Sequence, residues 1–141
     1  MPEWSLAAFG GAALIAVYYL MVRAAAGRIE DRMGSLVLEL AACVGIAVSL
    51  FVGGRGRIPT TSAGVLLSAA GGIAVSFASI LLFMALRKGG PVASTGTIVL
   101  GGGVAISGLV APWLFGESFT LRRAIGVALG LAAMWVLGTE S

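Results

Sequence analysis

Five apolar stretches, separated by short charged clusters, make up almost the whole chain. Residues 4–22, 58–86, 89–116 and 124–139 carry no Asp, Glu, Lys or Arg, and residues 33–54 carry only Glu39. Because a helix of about 20 apolar residues crosses the roughly 30 Å hydrocarbon layer of a bilayer, each stretch predicts a transmembrane helix. The last stretch is short, and we expect Arg122 and Arg123 to extend their head groups to the interface. The predicted helices cover approximately residues 4–23, 33–53, 62–87, 91–115 and 119–138.

The connections between these helices are short and rich in glycine. Gly89 and Gly90, followed by Pro91, end the third helix and begin the fourth, and a run of Gly and Arg at 53–57 precedes the third. Loops of this length leave no room for a soluble domain, so we expect one five-helix domain over residues 1–141. The first apolar stretch has no basic region ahead of it, and we interpret it as a retained helix.

The composition indicates a lipid environment. Hydrophobic residues make up 59% of the 141 residues and charged residues only 11%, whereas a soluble domain carries about 25% charged residues. We therefore predict an all-α, multi-pass integral membrane protein, and we expect it in a bacterial plasma (inner) membrane.

Residue counts exclude several kinds of chemistry. The nine basic residues are scattered in ones and twos, so they form no stripe for nucleic-acid binding. The chain has no His and one cysteine, Cys43, which excludes imidazole catalysis, His metal ligation and a disulfide framework. No Ser-Lys or paired-Asp arrangement is present either. We predict no enzyme activity, no metal and no cofactor.

Small and polar side chains recur at helical spacing on the second, third and fourth predicted helices. Such a stripe either allows close helix packing or lines a polar cavity, and the sequence leaves both open. Tyr18, Ser76, Ser79 and Thr97 are our candidates for substrate contact. The stripes are Ser35, Glu39, Ala42 and Cys43; Ser68, Gly72, Ser76 and Ser79; and Ser94, Thr97, Gly101, Ala105 and Gly108.

Glu39 is the one acidic residue well inside a predicted span. A charge at the centre of a transmembrane helix costs about 2.5–3.5 kcal/mol on insertion scales, and less near the interface. Such a residue generally has a function or a partner. We predict that Glu39 faces a central cavity and exchanges a proton there. The alternative is a protonated carboxyl, or one that extends toward Arg28 and Arg32.

Glycines mark two further positions. Gly101, Gly102 and Gly103 lie near the middle of the fourth helix, where three glycines cost about 2–3 kcal/mol of helix propensity relative to alanine. They indicate either a helix broken at a binding site or, as we favour, a continuous helix pressed against a neighbour. Gly126 and Gly130 form a GxxxG pair, which predicts close approach of a helix from a second subunit or from the same chain.

Two segments carry a family resemblance. The run FMALRKGGPVA at 83–93 resembles a helix junction of the EamA domain in the drug/metabolite transporter superfamily, and WLFGESFTLRRAIG at 113–126 resembles the signature of that domain. The resemblance implies a five-helix unit, of which most members carry two. It also implies that Glu117 caps the last helix and pairs with an arginine. The positions expected to be structural are Pro91, Gly101, Gly103, Glu117, Gly126 and Gly130.

The third to fifth segments are also similar to the last three helices of small multidrug resistance transporters. That resemblance implies an antiparallel dimer and a membrane-embedded glutamate in the first helix. If residues 10–23 correspond to that helix, the glutamate is missing; if residues 34–45 correspond, Glu39 takes its place. Both alignments remain open.

The basic residues are divided almost equally between the two membrane faces. With five helices, one face carries four Lys or Arg and the other five, which is almost no orientation bias. We therefore expect insertion in both orientations and an inverted homodimer resembling a ten-helix transporter. The four are Arg55, Arg57, Arg122 and Arg123; the five are Arg23, Arg28, Arg32, Arg87 and Lys88.

These inferences together predict a transporter or exporter of small metabolites or drugs. Its substrates would be neutral, zwitterionic or cationic, because no Lys or Arg lies deep within a helix span. They would pass through a cavity at the interface with a second copy of the chain. The alternatives are a non-transporting membrane subunit and a component of a flippase for lipid-linked substrates.

Overall fold

The computed structural model describes residues 3–53 and 60–139, and within these ranges the protein is helical. Five helices are long and apolar enough to cross a membrane, which confirms the predicted all-α class and the number of spans. The predicted loop at 53–57 lies mostly outside the described residues, as do Arg55 and Arg57. The helices are Glu3–Ala25, Asp31–Gly53, Ser62–Arg87, Val92–Phe115 and Leu121–Gly138.

Local hydrogen bonds explain where the helices begin. The carboxylate of Glu30 accepts a 2.9 Å bond from the backbone N–H of Met33, at the start of the second helix. At the start of the fifth helix, Thr120 Oγ1 accepts from the N–H of Arg123 at 3.3 Å. Each bond satisfies an N–H group that has no partner within the helix. The side-chain cap of the last helix therefore comes from Thr120, whereas Glu117 forms the expected pair with an arginine, Arg123.

The fourth helix contains a π-helical turn. It runs as an α-helix over Val92–Gly96, widens over Thr97–Gly101 and returns to α-geometry over Gly102–Phe115. The three glycines therefore do not break the helix, and the irregular turn lies immediately before Gly102. Single π-turns inside α-helices are rare and frequently occur at functional sites.

The described residues form two compact units, and the prediction of a single domain stays a prediction. Residues 22–53 and 60–87 form one unit, which contains the second and third helices. Residues 3–21 and 88–139 form the other, which contains most of the first helix and the fourth and fifth helices. We call them the two-helix unit and the three-helix unit.

In the two-helix unit the second and third helices run antiparallel and pack closely where the second begins. A Cβ atom at Gly34 would lie only 2.8 Å from the ring of Phe83, so any larger residue there would force that ring to shift. Arg87 forms an ion pair with Asp31 at 2.8 Å, and the Arg23 guanidinium donates to the carbonyl of Leu86. The buried side chains on the third helix are Ser79, Leu82, Phe83 and Leu86.

In the three-helix unit the fifth helix packs along the fourth. Met134 lies against Gly102, where a Cβ would be 3.0 Å from the methionine Cε, and Val127 lies against Gly108 at 3.2 Å from its Cβ position. The ring of Tyr19 on the first helix lies 3.3 Å from the Cβ position of Gly96. Small residues on the fourth helix thus make room for larger side chains of its neighbours.

Large apolar side chains are exposed along every helix. Phe51 is 90% exposed and Trp113 92% exposed. A water-soluble protein rarely presents apolar surface on this scale, whereas lipid tails solvate it at no cost. The exposure pattern therefore agrees with an integral, multi-pass membrane protein.

Candidate functional site

The main polar cluster lies between the second and third helices. Ser79 Oγ donates a 3.0 Å hydrogen bond to the Oε1 atom of Glu39. One turn earlier on the second helix, Ser35 Oγ donates to the backbone carbonyl of Ser76 at 3.4 Å. Ser35 and Ser79 are buried, while Glu39 and Ser76 are half-buried. Four residues from two predicted stripes therefore meet at one helix interface.

Ser76 and Ser79 play different parts in this cluster. The hydroxyl of Ser76 donates a 3.0 Å hydrogen bond to the carbonyl of Gly72, so this bond stays within the third helix. The hydroxyl of Ser79 instead crosses to Glu39. The Glu39–Ser79 pair is consistent with antiparallel packing of the two helices. The Asp31–Arg87 ion pair, which joins the start of the second helix to the end of the third, fits the same alignment.

The partner of Glu39 is the hydroxyl group of Ser79, whereas an arginine was the alternative partner expected from the sequence. Among the described residues, the ion pairs are Asp31–Arg87 and Glu117–Arg123, and Glu39 takes part in neither. Arg28 and Arg32, the cations toward which Glu39 was alternatively expected to extend, are exposed. The carboxyl group is thus hydrogen-bonded to a hydroxyl and has no cationic partner among the described residues.

The other end of the second-helix stripe is open. Ala42 and Cys43 follow Glu39 on the same face, and both are exposed. Within the described part of the chain, no three Cys, Asp or Glu side chains lie close enough together to hold a metal ion. The cluster can therefore offer one carboxyl group and several hydroxyl and carbonyl oxygens.

The three-helix unit contains further polar side chains, on its first and fourth helices. Tyr18 is half-buried and its ring meets the ring of Tyr19 edge-on, with 5.3 Å between the centroids. Thr97, also half-buried, is the first residue of the π-turn. Ser94 and Thr95 are buried one turn earlier. Of the predicted contact residues, Tyr18 and Thr97 thus belong to one unit, and Glu39, Ser76 and Ser79 to the other.

Tyr19 and Thr95 are buried, although neither was a candidate for substrate contact, and Gly102, one of the three glycines noted in the fourth helix, is buried too. Tyr19 directly follows Tyr18, and nothing in the local pattern shows which of the two rings is turned inward. Gly102 is the middle glycine of three, and only the position of Met134 shows that it is the tightly packed one. Gly103, which was predicted to be structural, is exposed, and a Cβ there would meet nothing within 4 Å.

The remaining signature positions lie in the three-helix unit. Pro91 precedes the fourth helix in extended conformation, and Gly101 lies 3.5 Å from Met134, measured from its Cβ position. A Cβ at Gly126 or Gly130 would meet no described atom within 4 Å, so the GxxxG face is open in this chain. Glu117 bonds to Arg123 at 2.5 Å beside a cavity of about 450 Å³ between the fourth and fifth helices.

Comparisons of the chain with models of known protein families, with curated protein sequences and with solved structures give no significant match. The resemblance carried by residues 83–93 and 113–126 therefore stays a prediction from those two segments.

Proposed function

We propose that the protein is a half-sized membrane transporter for small neutral, zwitterionic or cationic solutes. The observation that carries the proposal is the Glu39–Ser79 hydrogen bond within the membrane-spanning part of the two-helix unit. Glu39 lies eight residues after Asp31, which places it about 12 Å along a helix with a rise of 1.5 Å per residue. An ionisable side chain at that depth is costly and generally marks a substrate or proton pathway.

The partners of Glu39 suit this role. A carboxylate fixed by an arginine would be neutralised, whereas a serine hydroxyl orients the group and leaves its charge to be balanced by a proton or a cationic solute. Within the three-helix unit, the π-turn that begins at Thr97 is a local irregularity typical of functional sites. These features favour substrates that are not multiply charged anions.

The proposed transporter contains two copies of the chain related by inverted symmetry. Many transporters consist of two inverted repeats with the substrate site at their interface, and a single five-helix unit reproduces that arrangement only with an oppositely inserted copy. The near-equal division of basic residues, four against five, supports insertion in both orientations. A parallel dimer is the rival arrangement.

Transport by the purified protein alone is the decisive experiment. A thermal-shift screen against amino acids, nucleosides, amines and lipid head groups would first identify a ligand. Proteoliposomes that contain only this chain should then take up or release that ligand. Absence of flux for every stabilising ligand would support the alternative of a non-transporting subunit, and movement of a labelled lipid alone would support a flippase component.

A further inference from the structure

A groove between the fourth and fifth helices combines apolar walls with a charged mouth. Its cavity of about 450 Å³ is within the range of roughly 300–1,000 Å³ that small-molecule sites occupy. The groove is open on one side, because a Cβ at Gly126 would meet no described atom within 4 Å. The lining residues are Val104, Ser107, Gly108, Ala111, Glu117, Arg123, Gly126 and Val127.

The mouth of the groove carries both signs of charge. Arg123 Nη2 lies 2.5 Å from Glu117 Oε2, and Arg123 Nη1 donates to the carbonyl of Ser118 at 3.4 Å. The side chains of Arg123 and Glu117 remain 33% and 44% exposed. They lie next to the first turn of the fifth helix, where Thr120 already accepts from the N–H of Arg123 and the positive end of the helix dipole favours an anion.

The apolar part of the groove is shorter than the thickness of one bilayer leaflet. Val104 to Ala111 covers eight residues, a rise of about 10 Å along the helix. The hydrocarbon layer is about 30 Å thick, so each leaflet contributes about 15 Å. Gly126 lacks a side chain and thereby lowers the groove floor, while Val104 and Val127, which packs against Gly108, form apolar walls. An acyl chain that enters from the charged mouth would lie along these residues.

We propose that this groove holds one phospholipid whose head group carries both a phosphate and an ammonium. The phosphate lies at Arg123, near the start of the fifth helix, and the ammonium lies at Glu117. Charge complementarity distinguishes this occupant from an anionic head group such as phosphatidylglycerol, whose phosphate would satisfy Arg123 but which offers no cation to Glu117. The proposal is independent of the transported substrate, because it concerns a different helix pair from Glu39.

The test is lipid retention by the purified full-length protein, measured by native mass spectrometry after exchange into detergent. We expect one bound phosphatidylethanolamine per chain and about tenfold weaker binding of phosphatidylglycerol. Gly126→Leu fills the groove and should lower phosphatidylethanolamine retention about tenfold. Gly45→Leu places the same side chain at an exposed glycine of the second helix and should retain the lipid. Equal retention in both variants would overturn the proposal.

Two further measurements separate the rival occupants. Glu117→Gln combined with Arg123→Gln removes both charges while keeping polar side chains, and should abolish the preference for phosphatidylethanolamine; an unchanged preference overturns the assignment of the head group. Glycerophosphoethanolamine, which lacks acyl chains, should not displace the lipid, and displacement at equal concentration would identify a soluble ligand instead. Loss of dimer mass in Gly126→Leu by light scattering, with lipid retention unchanged, would identify a second copy of the chain as the occupant.

Discussion

The hydroxyl of Ser79 donates a 3.0 Å hydrogen bond to the carboxyl group of Glu39 across the interface of the second and third helices. This bond joins the one acid deep in the membrane to a buried side chain of the neighbouring helix. It makes the two residues the natural starting point for mutagenesis.

Replacing Glu39 with glutamine should abolish transport or uncouple it from a pH gradient. The amide keeps an oxygen that accepts from Ser79, so helix packing and expression should be preserved, but it can neither carry a charge nor exchange a proton. Ligand flux into proteoliposomes with and without a pH gradient provides the measurement. Glu39→Asp, which retains the carboxyl group, should keep part of the activity. Wild-type flux and wild-type pH dependence in the glutamine variant would contradict the role assigned to Glu39.

Ser79→Ala should impair transport more than Ser76→Ala. Loss of a hydrogen bond to a charged group typically costs about 1.5–3 kcal/mol, so a transport rate that depends on an oriented Glu39 should fall tenfold or more. The hydroxyl of Ser76 bonds only to its own helix, at Gly72, so its removal should leave the rate within about threefold of wild type, a change of less than 1 kcal/mol. The two alanine variants are closely matched in depth and size. Equal rates for both would show that the Ser79 hydroxyl does not act on the carboxyl group.

Gly34→Ala should destabilise the protein. The added methyl would lie 2.8 Å and 2.9 Å from two ring atoms of Phe83, a buried side chain that has little room to move. Overpacking of this kind costs about 1–3 kcal/mol. Gly45→Ala, on the same helix with open space around it, should be neutral or stabilising by up to about 1 kcal/mol through helix propensity. Thermal unfolding in detergent compares the two, and an equal melting temperature would argue against the close contact of the helices at Phe83.

Reporters fused to the C-terminus should show that the chain inserts in both orientations. Replacement of Arg55 and Arg57 by glutamine would leave two basic residues on one face against five on the other, and should fix a single orientation. Transport by that variant alone should be lost, because no oppositely oriented copy is present. A C-terminal signal from one side only in the wild type would refute dual insertion.

The five helices could be predicted from the sequence because uncharged runs long enough to span a bilayer have few alternatives. Which face of each helix meets a neighbour was harder to predict. In a membrane protein, both the helix face that packs against other helices and the face that meets lipid are apolar. The hydrophobic periodicity that reveals the core-facing side of a helix in a water-soluble protein is therefore weak. Polar residues such as Ser79 and Glu39 could therefore be recognised from the sequence. The sequence could not show that Tyr19, and not Tyr18, is the buried tyrosine.

The pairing of Glu39 with Ser79 could not be predicted for a related reason. Each residue was visible on its own helix, but the register between two antiparallel helices depends on contacts far apart in sequence. Here Gly34 against Phe83 and Asp31 against Arg87 set that register. Similarly, the packed role of Gly102 depends on Met134, which lies 32 residues further along the chain.

The π-turn at Thr97–Gly101 changes how positions on the fourth helix should be compared. A π-turn accommodates one residue more than an α-turn, so side chains beyond it are rotated by about 100° relative to a regular helix. The predicted stripe from Ser94 to Gly108 assumed one unbroken period. Ser94 and Ala105 of that stripe are buried, but so are Thr95 before the turn and Gly102 after it, which lie outside the stripe. A cysteine-accessibility or tryptophan scan through this helix measures the effect of substitution at each position. That effect should follow one helical period before residue 96 and another after residue 102, with a shift in phase between them. Fitting a single sinusoid would assign lipid-facing positions to the protein interior.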